Sequence, residues 1–185
     1  MNPLLGKLHP NPFERLRALT SGITPNPAYK AISLGIGEPR HATPALVEEA
    51  MVAGLKGLSV YPPTAGEPRL REAFTGWLQR RYGLALDATT QVLPVRGSRE
   101  ALFAIAQTIV DPTRPGATVV HPNPFYQIYE GAALLAGASV VYANSDPARN
   151  FAVRWDSIDD NTWARTQLIY VCSPGNPTGA VMPLS

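Results

Sequence analysis

From residue 91 onward, short runs of β-branched and apolar residues alternate with stretches of helical periodicity, and this alternation constrains the fold more than any other feature of the chain. Residues 91–95, 118–120, 139–142 and 167–172 read as strands, while 98–110 and 125–135 read as helices. Strands joined through helices favour parallel neighbours, because a parallel pair needs a crossover connection and a helix supplies it. The spacing therefore predicts an α/β domain, a mainly parallel sheet between helical layers in an α-β-α sandwich. The polar stretch 144–161 reads as a surface connection.

The first part of the chain has a different texture. A proline-rich arm leads into a short helix around Phe13, Leu16 and Leu19, and an extended run at 31–34 ends in the turn Gly35-Ile36-Gly37-Glu38-Pro39. Thr43 is placed as an N-cap with Pro44 at the first helical position, opening a helix through Leu55 that closes at Lys56 and Gly57. A second helix starts near Pro68, shows Leu70, Phe74, Trp77 and Leu78 at helical spacing, and stops at Gly83.

Composition narrows the function. The 185 residues carry a formal net charge of +2, and Arg80-Arg81 is the only adjacent basic pair, so no basic face for nucleic acid or anionic lipid is expected. Residues 1–19 are broken by Pro3, Pro10 and Pro12 and resemble neither a secretory signal nor a membrane span, which predicts a cytoplasmic protein. The single cysteine, Cys172, excludes an internal disulfide, and the dispersed His9, His41 and His121 offer no metal-ligand spacing. Neither a dinucleotide fingerprint nor a Walker A loop is present: Gly35 and Gly37 lack a third glycine and run into proline.

In parallel sheets ligands gather at the carboxyl ends of strands, and three such ends carry distinctive residues. Gly97-Ser98-Arg99 opens the helix after the first strand, where unpaired N–H groups and the positive end of the helix dipole suit a phosphate. Tyr126 follows the second, in Pro122-Asn123-Pro124-Phe125-Tyr126, and its ring could stack on a flat ligand. Asn176 follows the last, in Ser173-Pro174-Gly175-Asn176-Pro177-Thr178-Gly179. Taken singly, each has an ordinary reading: Ser98 as a plain N-cap, Tyr126 as core beside Phe125, Ile128 and Tyr129, and Asn176 as a turn initiator. Taken together, on one edge of a sheet, they suit a phosphorylated aromatic cofactor.

These motifs, with Leu34-Gly35-Ile36-Gly37-Glu38-Pro39, Tyr61-Pro62-Pro63 and Gly97-Ser98-Arg99-Glu100-Ala101-Leu102, resemble the amino-terminal part of class I and II aminotransferases, enzymes of the type I fold that use pyridoxal 5'-phosphate. The resemblance implies that residues 1–43 are an N-terminal arm and part of a small domain, and that 44–185 are the first part of the cofactor-binding large domain. It implies that Gly97, Ser98 and Arg99 hold the cofactor phosphate, Tyr126 stacks on the pyridine ring, and Asn176 bonds its phenolic oxygen. Gly37 would meet the substrate carboxylate, and Tyr61 would reach the phosphate held by the neighbouring subunit of a homodimer. Amino acids and keto acids are the implied partners. The runs 8–16 and 122–132 are most similar to the branch that moves an amino group between glutamate and N-succinyl-2-amino-6-oxopimelate in bacterial lysine biosynthesis.

In that family the Schiff-base lysine, the aspartate facing the pyridine nitrogen and the arginine for the substrate α-carboxylate all follow SPGNPTG. Lys7, Lys30 and Lys56 are the only lysines, and none matches the catalytic position, so these 185 residues alone are expected to be inactive and to leave the 91–95 strand without its neighbour. Two other readings stay open: a lyase or synthase sharing the cofactor contacts, and a non-catalytic binding module that keeps this half of the fold.

Overall fold

A computed structural model describes residues 1–32 and 34–184. Two compact units emerge, one formed by Pro10–Pro94 and the other by Met1–His9 with Val95–Ser185.

Among the described residues, the Pro10–Pro94 unit is built on three α-helices. Helix α1 (Pro12–Thr20) starts with Pro12 in its first turn and the Asn11 side chain accepting the Phe13 N–H at 2.9 Å. Helix α2 (Ala45–Gly54) begins one residue later than its sequence suggests: Pro44 itself is the cap residue, and Thr43 makes no capping bond. A 3-10 turn, Leu55–Ser59, continues it and carries Lys56 and Gly57. Helix α3 (Pro68–Tyr82) ends as read, on Gly83 in the left-handed region at φ 70°, whose N–H returns to the Gln79 carbonyl at 3.0 Å. The Arg71 guanidinium fastens the following turn by donating to the Ala88 and Thr89 carbonyls at 3.1 and 3.3 Å. None of these helices buries a residue, and Leu46, Met51, Phe74 and Trp77 are exposed. Within the extended run at 31–34, Ser33 lies outside the described residues and Ala31, Ile32 and Leu34 join no strand ladder.

The other unit holds the sheet. Strands β1 (Thr118–Asn123), β2 (Ser139–Asp146), β3 (Ala152–Val153) and β4 (Thr166–Ile169) stand in the order β3-β2-β1-β4. Strand β1 is parallel to both β2 and β4, with Val119 opposite Val140 on one side and Leu168 on the other. Residues 118–122 are buried without alternation, as a strand covered on both faces must be. Helices α4 (Ser98–Ile109) and α5 (Ile128–Leu135) pack on each other through Ala106, Ala132 and Ala133, small residues that allow close approach. Val110, Val119, Tyr129, Ala138 and Tyr170 complete the core.

Three elements differ from the sequence reading. Residues 91–95 join no ladder among the described residues, since a strand exists only with a partner. Helix α5 starts at Ile128; residues 125–127 form the turn that enters it, closed by the Tyr129 N–H on the Tyr126 carbonyl at 3.1 Å. The polar stretch 144–161 is structured: β2 runs on to Asp146, and Asn150 and Phe151, at φ 54° and 58°, turn the chain so that β3 pairs antiparallel with the end of β2. Helix α6 (Asp160–Arg165) then leads into β4, capped by the Asp159 carboxylate on the Thr162 N–H at 3.0 Å. Among the described residues no helix is long and apolar enough to cross a membrane.

Candidate functional site

Helix α4 presents its N-terminus as an open cup. Gly97 is the cap residue at φ 150°, ψ 143°, a backbone region that side chains disfavour, and a Cβ there would strike the Glu100 carboxylate. The first helical hydrogen bond runs from the Ala101 N–H to the Gly97 carbonyl at 3.3 Å, so the Ser98, Arg99 and Glu100 N–H groups stand ahead of the ladder with the dipole behind them. Ser98 is the first helical residue, which removes its reading as the cap.

Tyr126 is tied to this cup. The Arg99 Nε–H donates to the Tyr126 hydroxyl at 2.8 Å, and that bond raises the guanidinium pKa further. The Tyr126 ring meets Tyr129 edge-on, with centroids 5.9 Å apart, and Tyr129 stacks on Tyr170 at 4.5 Å and 16°. Tyr170 is anchored twice: its N–H reaches the Val120 carbonyl at 3.0 Å, and its hydroxyl donates to the Leu102 carbonyl of α4 at 2.6 Å. Burial, with Cys172 close by, pushes the Tyr129 phenol up to about 12, so it stays a neutral hydrogen-bond donor.

Asn176 sits on a loop that closes on itself. The Gly175 N–H reaches the Ala180 carbonyl at 2.8 Å, the Gly179 N–H reaches the Gly175 carbonyl at 2.7 Å, and the Met182 N–H reaches the Ser173 hydroxyl at 3.0 Å. Asn176 lines a cavity of about 330 Å³ with Pro122, Pro124, Tyr129 and Cys172. Residues 97–99 and Tyr126 do not line it. The structure thus brings Gly97, Ser98, Arg99 and Tyr126 together, and links them to Asn176 through Tyr129 rather than through one enclosed pocket. Gly37 and Tyr61 belong to the Pro10–Pro94 unit, where Tyr61 is 97% exposed and the Gly37 α-carbon faces open space.

Sequence reading missed Tyr170 as the anchor of the stack; its place as the one aromatic residue inside the apolar run 167–172 was the available signal. It also missed a partly buried polar cluster built on Glu130 of α5. Glu130, only 8% exposed, receives the Tyr142 hydroxyl on one oxygen and pairs with His9 Nδ1 at 2.9 Å on the other. Burial pushes its carboxyl up, but the bonds from His9 and Tyr142 together bring it below its ordinary 4.5. His121 is fully buried against Phe125, Tyr129 and Tyr142; its Nδ1 bonds the Pro122 carbonyl at 2.8 Å and its Nε2 has no partner among the described residues. Burial holds its pKa below the ordinary 6.5, against smaller upward pulls from the Pro122 carbonyl and Glu130.

The family description of class I and II aminotransferases matches residues 29–185. The chain belongs to that family. The chain is 36% identical over 158 residues to an LL-diaminopimelate aminotransferase of Dehalococcoides mccartyi strain CBDB1, a match covering 84% of this chain and 40% of the relative. Among solved structures, an aminotransferase from Neisseria meningitidis Z2491 superposes with a TM-score of 0.93 at 49% identity, over all of this chain and 47% of the other. The aminotransferase AspB from Helicobacter pylori 26695 superposes with a TM-score of 0.85 at 36% identity, over 95% of this chain and 45% of the other. The chain thus spans less than half the length of each of these relatives. Class I and II aminotransferases depend on pyridoxal phosphate, and the residues present fit that group: a glycine-lined cup with free N–H groups for the phosphate, and a tethered aromatic ring beside it.

Proposed function

We propose that the full-length protein is a pyridoxal-phosphate-dependent aminotransferase that moves an amino group between glutamate and N-succinyl-2-amino-6-oxopimelate. The observation that carries the cofactor reading is the bond between Arg99 and Tyr126, which sets an aromatic ring beside a helix N-terminus open to an anion. When bound, the cofactor supplies an electron sink for the bonds at the substrate Cα. In this reading the N–H groups of Ser98 and Arg99 hold the phosphate, Tyr126 covers the ring, and the Asn176 amide donates to the ring oxygen. Tyr129, neutral at working pH, lies next to this set as a further donor. Gly37 meets the substrate carboxylate, Tyr61 serves the phosphate of a second subunit in a homodimer, and the protein works in the cytoplasm.

The diaminopimelate skeleton is supported by the names of the curated relatives. Those names favour a second reading in which the acceptor carries no succinyl group. The test is an amino-transfer assay of the full-length protein with glutamate and each keto acid. Preference for the succinylated acceptor supports the first reading, and preference for the free one supports the second. Activity with neither removes the diaminopimelate assignment; failure to bind pyridoxal phosphate removes the cofactor reading as well.

A further inference from the structure

We propose that the Arg99 side chain is a positioning residue for the Tyr126 ring and leaves the phosphate to the backbone of the cup. This rests on the cofactor reading above. Residues 125–127 form a turn ahead of α5, so Tyr126 sits outside the helix; its ring lies partly buried against the core, edge-on to Tyr129, and its hydroxyl takes the Arg99 bond that fixes its outer end. The Nε–H of Arg99 is the one guanidinium donor that lies closest to the main chain, and it is committed to the phenol at 2.8 Å. An anion in the cup is served without it, because the N–H groups of Ser98, Arg99 and Glu100 precede the helical ladder. The guanidinium therefore works sideways along the rim, fixing the tilt of the ring that covers the cofactor. A pinned ring loses less freedom on binding than a loose one, so the bond raises ligand affinity by pre-organisation.

Pyridoxal, which keeps the ring and lacks the phosphate, separates the two roles. Full-length apoprotein is titrated by absorbance with pyridoxal phosphate and with pyridoxal, as wild type, Arg99→Leu, Tyr126→Phe and the double variant. Arg99→Leu is expected to weaken both ligands by the same factor, about three- to tenfold for one solvent-screened charge-assisted bond. Tyr126→Phe, which keeps the ring and deletes the hydroxyl, is expected to match it, and the double variant to lose less than about twofold beyond either single one. The Tyr126→Phe arm stands even if Arg99→Leu folds poorly. A loss confined to pyridoxal phosphate, with pyridoxal unchanged, makes Arg99 a phosphate ligand and overturns the proposal, as do additive losses in the double variant. A wild type that binds neither compound overturns the cofactor reading itself.

Discussion

Gly97→Ala tests the cup directly. The residue sits at φ 150°, ψ 143°, in a region essentially reserved for glycine, and holding an alanine there costs about 1–3 kcal/mol. The new Cβ would also meet the Glu100 carboxylate, but that is the far end of a flexible side chain and can rotate away. The backbone term therefore dominates. It can surface in two ways: the chain keeps the cup and folds less stably, or it relaxes the cup and binds the phosphate less well. The two losses should add up to about 1–3 kcal/mol, equivalent to about 5- to 150-fold in an equilibrium constant. The assay pairs pyridoxal-phosphate titration of the full-length apoprotein at fixed ionic strength with denaturant unfolding of the same sample. Gly97→Ala with Glu100→Ala should recover little. A combined loss below about 0.5 kcal/mol, or full recovery in the double variant, would refute the argument, the first by denying the strain and the second by moving it to the carboxylate.

Two further outcomes are expected. His121 has a pKa held below its ordinary 6.5 by burial, so the unfolded chain takes up a proton before the folded one does; stability should be full above pH 6.5 and fall as pH drops from there toward the folded pKa, and a urea series between pH 7.5 and 5.5 should show that slope flattened in His121→Phe. In the Glu130 cluster, Tyr142→Phe should cost about 1 kcal/mol for its part-buried bond and His9→Ala less, because His9 is largely exposed, while Glu130→Ala should cost more than either, since it removes both bonds at once; unfolding midpoints at pH 7 check the order, and equal effects would contradict it.

Much of the architecture was legible where local chemistry decides structure. Helix α3 carries its own punctuation, Pro68 inside the start and Gly83 at the stop, and both boundaries fell where they read. The parallel pairing of β1 with β2 and β4 followed from the alternation of strand and helix. The failures are places where pairing or turns decide. Residues 91–95 have strand composition without a ladder partner, and β3 is a two-residue antiparallel pair set by the positive-φ turn at Asn150 and Phe151, which composition does not announce. At the site, the cup and the placement of Asn176 after an apolar strand could be read. The tether between Arg99 and Tyr126 could not, because it spans 27 residues and depends on how α4 lies beside the turn before α5. The burial of His121 and Glu130 was equally hidden, since polar residues in a strand and a helix look like surface until their neighbours are known.

The two anchors of Tyr170 make the sheet and α4 share a ruler. Its hydroxyl is bolted to the carbonyl of Leu102, one turn below the helix opening, while its own main chain continues into the segment that carries Asn176. On the cofactor reading proposed above, Tyr170 would act as a gauge between the phosphate end at α4 and the ring-oxygen end near Asn176, because it sets where the segment leading to Asn176 leaves the sheet. A molecule of the wrong length would then have to stretch that gauge to touch both ends, so on that reading the fold selects its occupant by size before any chemistry begins.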